Sequence, residues 1–327
     1  MGSIIDAHIH LFGEGYLSRV WYQHAAERWA ASAWPRRNPA AIDVESGLVD
    51  VDGTLLFTEL DKAGIAAGVA MGLDWGISLG EPRVTVRDVH RHYSEMQARF
   101  PGRFFGVAGI DPRRPDAVAL LEEAIVELGL KALKMYPPCG FLPFDPVCLP
   151  LYDKCLELGV PVVFHTALVG FPHVPRFAHP LNIGDVQACY PSLAIVFAHA
   201  GYPVWAKEVM GLVAHHPNSY LDISNWNAMM DRDPDGLVRL LIEMRDTVGA
   251  YRMLFASDHL GGRRFSGSRS RLAHWVNFVQ ELPDRAAKLG LTISSEEMAL
   301  IMGENARRVY KLRDAAEGTR QPASNRR

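Results

Sequence analysis

His8 and His10 end the first apolar run of the chain, Ile4-Ile5-Asp6-Ala7-His8-Ile9-His10. In a β-strand the side-chain period is two, so both imidazoles leave the same face and aim at one point. Neutral imidazoles gathered in this way bind a metal ion. The spacing recurs in His90-Arg91-His92, but there the surrounding pattern, residues 86–96, is helical. On a helix residues two apart diverge, so that pair cannot share an ion. Three later apolar runs end in metal-ligating types: Val162-Val163-Phe164-His165, Ile195-Val196-Phe197-Ala198-His199 and Leu254-Phe255-Ala256-Ser257-Asp258. Lys134 and Tyr136 lie two apart on another run and therefore share a face.

Such residues, far apart in sequence, need a frame that brings strand ends together. Eight short apolar segments read as strands, at 4–9, 67–71, 104–110, 131–136, 160–164, 194–197, 219–223 and 253–255. Amphipathic stretches between them read as helices, at 54–63, 86–100, 116–128, 147–158, 204–215 and 235–247. Asp116 is of a type that caps helix N-termini, and Gly129 follows the end of that stretch. Alternation of this length predicts an α/β chain whose parallel strands close into a (β/α)8 TIM barrel. An open doubly wound sheet is the alternative, but no Gly-x-Gly-x-x-Gly loop follows the first strand. In a barrel the C-terminal strand ends share one mouth, where His8, His10, His165, His199 and Asp258 converge.

Two connections exceed a short βα loop. Residues 11–53 carry Tyr16, Trp21, Tyr22, Trp29 and Trp34 and read as a cover over the mouth, while 261–282 carries Arg263, Arg264, Arg269 and Arg271. His173 and His179 follow the fifth strand and are candidates for touching substrate; His24, His215, His216 and His274 read as surface or helix-end residues. One catalytic domain over 1–312 is expected, with a polar, disordered tail at 313–327.

A net charge of −3 with scattered basic residues leaves no footprint for nucleic acid. Cys139, Cys148, Cys155 and Cys189 form no Cys-x-x-Cys pair, which suits free thiols in a reducing compartment. The longest apolar stretch, 160–171, contains Pro161 and His165 and is too short to cross a bilayer. With no basic-then-apolar leader, the expectation is a cytoplasmic protein with a small-molecule partner. The aromatic 11–53 segment would also serve a homodimer contact.

The motifs Asp6-Ala7-His8-Ile9-His10, Leu133-Lys134-Met135-Tyr136-Pro137-Pro138, Phe164-His165-Thr166, Phe197-Ala198-His199-Ala200-Gly201 and Phe255-Ala256-Ser257-Asp258, taken in order, resemble the amidohydrolase superfamily, most closely its family-2 branch of TIM-barrel metal-dependent hydrolases and decarboxylases. The resemblance spans residues 1 to about 312. It implies that His8, His10, His165 and Asp258 bind a first metal, and that His199 binds a second or acts as acid/base. Many members have Lys-x-His-Pro where this chain has Lys134-Met135-Tyr136-Pro137. Carbamylation of Lys134 to bridge two ions, and Tyr136 as phenolate ligand or substrate donor, stay open.

Imidazole and carboxylate donors suit one or two ions of Zn, Mn or Fe. The expected chemistry is hydrolysis by metal-activated water, with Asp258 accepting the proton. The first alternative is a non-oxidative decarboxylase of an aromatic or unsaturated acid. There His199 or Asp258 would protonate carbon, and Arg263 and Arg264 are candidates to grip the anion. The second alternative is an oxygen-activating diiron monooxygenase acting on a bulky apolar or CoA-linked substrate.

Overall fold

The computed structural model describes residues 2–32 and 35–312. Trp34 of the aromatic segment and the 313–327 tail lie outside the described residues. Eight consecutive strands run parallel in chain order: β1 (Ile4–His10), β2 (Ile65–Met71), β3 (Phe104–Gly109), β4 (Leu133–Met135), β5 (Val162–His165), β6 (Ile195–Ala198), β7 (Ser219–Asp222) and β8 (Met253–Leu254). Their near-continuous burial explains why they read as short apolar runs rather than as alternating ones.

Closure comes from the eighth strand position, which is broken in two. β8 pairs with β7, whereas β9 (His259–Leu260) pairs with β1 at Ile9 and His10. Between them Ala7 N donates to Phe255 O at 2.9 Å and Asp258 N donates to His8 O at 2.9 Å. Met253 to Leu260 thus bridges the first and seventh strands and completes the TIM barrel. The sequence reading ended this strand at residue 255. Its second half escaped notice because Asp258 interrupts the apolar pattern.

Inward positions alternate along the strands, as pleating requires. Ala132, Val163, Val196, Ala198, Leu254 and Ala256 fill the interior with Ile5, Ala7, Val69, Met71, Phe105 and Val107. Lys134 and Tyr136 continue the series begun by Ala132; His165 continues from Val163; Asp258 continues from Leu254 and Ala256. The first strand is different. Strict alternation would send His8 and His10 to the face opposite Ile5 and Ala7. A register shift against β2 between Asp6 and Ile9 inserts one extra residue, and such a bulge re-aims the side chains beyond it.

The crossover helices cover the outside. Val86–Arg99 is capped by Thr85, whose hydroxyl accepts from Asp88 N at 3.2 Å. Ala117–Glu122 continues into a wider turn at Glu123–Glu127; Thr54–Lys62, Leu149–Leu158, Gly184–Cys189, Ala206–His215 and Pro234–Val248 are further crossover helices. Asp116 occupies the N-cap position but its carboxylate makes no capping bond, lying instead 3.6 Å from Arg87. The 11–53 segment folds as helices Arg19–Ser32 and Val44–Leu48 joined through Pro39–Ala41. Ala306, Val309 and Tyr310 plug the end of the barrel away from the mouth. No described helix is long and apolar enough to cross a membrane.

Candidate metal centre

At the C-terminal mouth a cavity of about 120 Å³ is lined by His8, His10, Lys134, Tyr136, His165, His199 and Asp258, with Phe12, Trp21, Leu73, Trp75 and Leu260 as its apolar wall. Every site residue expected from sequence therefore faces one chamber. His90 and His92, the helical pair, part company: His90 Nε2 reaches Gly109 O at 3.2 Å, while His92 bonds Tyr16 and, at 2.7 Å, Val51 O.

The four chamber imidazoles share a pattern. His8 Nδ1 lies 2.9 Å from Asp222 Oδ2, His10 Nδ1 3.0 Å from Met71 O, and His165 Nε2 3.1 Å from Ala167 O. Carbonyls and carboxylates only accept, so in each ring that nitrogen carries the proton. His199 Nδ1 lies 2.7 Å from Ser224 Oγ, whose own proton goes to Asp222 Oδ1, so this ring also donates outward. The remaining nitrogens all face the chamber.

Their mutual distances fit a cation. His10 Nε2 is 3.1 Å and His8 Nε2 3.5 Å from Asp258 Oδ1; His165 Nδ1 is 3.0 Å from His199 Nε2. Two donors each about 2.1 Å from one ion, at angles of about 90–110°, stand roughly 3.0–3.4 Å apart. One ligand atom each from His8, His199 and Asp258 lies within 4.8 Å of the others, and His8 Nε2 is buried with no hydrogen-bond partner. His10 adjoins this trio through Asp258, and His165 adjoins it through His199.

Electrostatics prepare the donors. Burial, with the Lys134 charge adding, holds His8 and His165 below the ordinary imidazole range; burial and the neighbouring His165 and His8 do the same for His199. These rings are neutral, as ligands must be. Burial would raise the Asp258 carboxyl, but the close ring nitrogens of His10 and His8 and the nearby Lys134 outweigh it and bring it to about 2. Burial alone lowers the Lys134 ammonium to about 8, against Asp222 and Asp258, and its Nζ has no hydrogen-bond partner. Burial keeps the Tyr136 phenol protonated. Its ring stacks near His165 (4.4 Å) and His173 (4.9 Å), so His173 touches the chamber's aromatic wall. His179 instead packs on Trp205 and accepts from Leu181 N.

Asp222, at the end of β7, was missed from sequence. Its Oδ1 accepts His199 N at 2.8 Å, Ser224 N at 3.1 Å and the Ser224 hydroxyl, while Oδ2 takes His8 Nδ1. Burial opposes ionisation, yet these donors hold the carboxyl well below its usual range. The available signal was an acid closing the Tyr220-Leu221-Asp222 run, level with Ala198 and His165 on the neighbouring strands. Asp6 is a second omission: Oδ1 accepts His8 N (3.1 Å) and Ser257 N (3.0 Å), and Oδ2 accepts Ser257 Oγ (2.5 Å). This clasp ties β1 to the residue before Asp258. Of the five described non-glycine residues with positive φ, His199, Ala200, Asn225 and Asp258 all lie at the mouth, where backbone strain marks function.

The amidohydrolase family model matches residues 5–312. The chain belongs to the amidohydrolase family. Members of this superfamily are metal-dependent enzymes, and this chain is one of them. Among solved structures, the amidohydrolase barrel is similar to 5-carboxyvanillate decarboxylase from Sphingomonas paucimobilis (15% identity, 95% of this chain and 99% of that one, TM-score 0.64). It is also similar to a putative 2-pyrone-4,6-dicarboxylic acid hydrolase from Pseudomonas putida (16%, 95% and 98%, 0.60). A third is an amidohydrolase from Burkholderia multivorans with bound zinc (19%, 95% and 100%, 0.59). No curated protein matches significantly. The family and these relatives include hydrolases and decarboxylases; none supports the oxygenase alternative.

Proposed function

We propose that this amidohydrolase hydrolyses a small organic substrate using one or two divalent ions held by His8, His10, His165, His199 and Asp258, with Lys134 as a further donor. The observation that carries the reading is the set of four imidazoles, each with one ring nitrogen bonded outward and the other turned into one chamber beside an ionised carboxylate. Nitrogen and oxygen donors suit zinc, manganese or iron; the Burkholderia relative holds zinc. A bound ion would supply Lewis acidity that brings the pKa of a water from near 16 to about 7.

The remaining work falls to the chain. Asp258, ionised at neutral pH, accepts the proton of the attacking water and passes it to the leaving group. Tyr136, a neutral phenol, donates a hydrogen bond to the substrate oxygen that gains charge. Phe12, Trp21 and Trp75 keep bulk water from the reacting atoms. The test is metal analysis of purified protein together with turnover of a panel of esters, lactones and amides. His165→Ala is expected to lose both metal and activity; full metal content with full turnover in that variant would overturn the assignment.

A decarboxylase is the second reading, favoured by the aromatic wall of the chamber and the likeness to 5-carboxyvanillate decarboxylase. Asp258 or His199 would then deliver a proton to carbon. Release of carbon dioxide from aromatic acids, with no turnover of esters or amides, would select it.

A further inference from the structure

Next to the metal chamber lies a larger, open cavity of about 850 Å³ that shares Asp258 and Leu260 with it. Five arginines line it: Arg37 from the cover and Arg263, Arg264, Arg269 and Arg271 from the loop after β9. Only Arg271 has a described carboxylate partner, Asp231 at 2.6 Å. Arg264 packs its guanidinium 3.7 Å from the Trp29 ring centroid, and Arg269 donates to Arg263 O at 3.4 Å. Asp43 is the one lining carboxylate besides Asp258, and it is engaged in capping the Val44–Leu48 helix through Ser46 N. The guanidiniums also disfavour one another: burial, then Arg269 and Arg37, hold Arg264 below its ordinary value.

Five guanidiniums facing two lining carboxylates leave an excess of like charge that raises the energy of the free protein, and a polyanionic ligand would offset it. A single carboxylate needs one guanidinium fork. Four forks with no carboxylate ion pair among the described residues, around a space of this size, match several oxyanion edges, as on linked phosphates. We propose that this arginine vestibule binds a multiply charged phosphate group of the substrate, while the reacting end of the same molecule enters the aromatic chamber. The vestibule is a binding site in its own right; that its occupant is the substrate rests on the hydrolytic reading above.

The probe is inorganic pyrophosphate, titrated calorimetrically into the full-length, metal-loaded protein, with the emission of Trp29 as a second readout. Saturable binding is expected, weakening as salt rises. The double variant Arg263→Gln/Arg269→Gln should weaken it at least tenfold; both residues are exposed, so the fold is retained. His165→Ala should leave the affinity unchanged. Binding that ignores the arginine changes, or that disappears in His165→Ala, would place pyrophosphate on the metal and overturn the site. In turnover, the arginine variant should raise KM at least tenfold for a phosphate-bearing ester and leave its phosphate-free counterpart unaffected. Equal effects on both would refute the substrate assignment. Loss of the hydrolytic reading alone would leave the pyrophosphate results standing.

Discussion

Asp222 governs two of the chamber's imidazoles at once. It receives His8 Nδ1–H on one oxygen and, on the other, the Ser224 hydroxyl that in turn accepts from His199. Asp222→Asn would present an amide NH₂ to one of these donors, so that one ring must turn its lone pair away from the chamber. Metal affinity is expected to fall about 10- to 100-fold, as for other outer partners of ligating histidines; competition against a chromophoric chelator measures it. Unchanged affinity would mean the rings are held by packing alone. Tyr136 separates two roles in the opposite sense. Because burial keeps the phenol protonated, Tyr136→Phe should retain full metal content while kcat drops by about 10² or more, the usual cost of losing a transition-state donor. Loss of metal in that variant would make Tyr136 a ligand instead. The candidate ligands were legible in the sequence because each ends an apolar run. Asp222 was not, since its importance lies in what it touches across strands, and one acid after Leu221 looks like a strand terminus.

At the scale of elements, the strands could be read because both faces are buried, which leaves uninterrupted apolar runs. The bulge in β1 and the split eighth strand could not, because both are properties of pairing between segments distant in sequence, β1 with β2 and β1 with β9. Yet the bulge turns His8 and His10 inward, and the second half of the eighth strand holds Asp258 beside them. The closeness of neighbouring strand ends carries its own demand. A Cβ on Gly109 would lie 2.3 Å from the carbonyl carbon of Gly72, backbone against backbone with no flexible side chain to yield. Gly109→Ala must spread β2 from β3 just below the mouth, and is expected to cost about 3 kcal/mol in urea unfolding, at the upper end of overpacking effects. Gly211 is the counter-case. It sits inside the Ala206–His215 helix with nothing within 4 Å of its would-be Cβ, so Gly211→Ala should stabilise by about 0.5–1 kcal/mol through helix propensity. If both substitutions move stability the same way, the close approach at Gly109 is not what limits that position.

For the molecule as a whole, stability depends on buried imidazoles that fold in their neutral form, which ties it to pH. His90 is buried away from the chamber, against Gly109 O, and burial lowers it to about 4 from an ordinary 6.5 despite that hydrogen bond and the pull of Glu123. Between these values the unfolded chain binds a proton there and the folded chain does not. Unfolding is therefore favoured progressively as pH falls from 6.5 towards 4, and the His90 contribution is fully present only above 6.5. A shift of this size corresponds to something on the order of 3 kcal/mol across the window. His8, His165 and His199 act in the same direction, and metal loss at low pH adds to them. The informative quantity is therefore the difference between wild type and His90→Gln, both treated with chelator, in urea midpoints taken from pH 7.5 to 4.5. Gln keeps a donor for Gly109 O but does not titrate, so its curve should fall less steeply, the gap opening below pH 6.5. Parallel curves would show that the folded protein protonates His90 as readily as the unfolded chain does, and that acid sensitivity arises elsewhere.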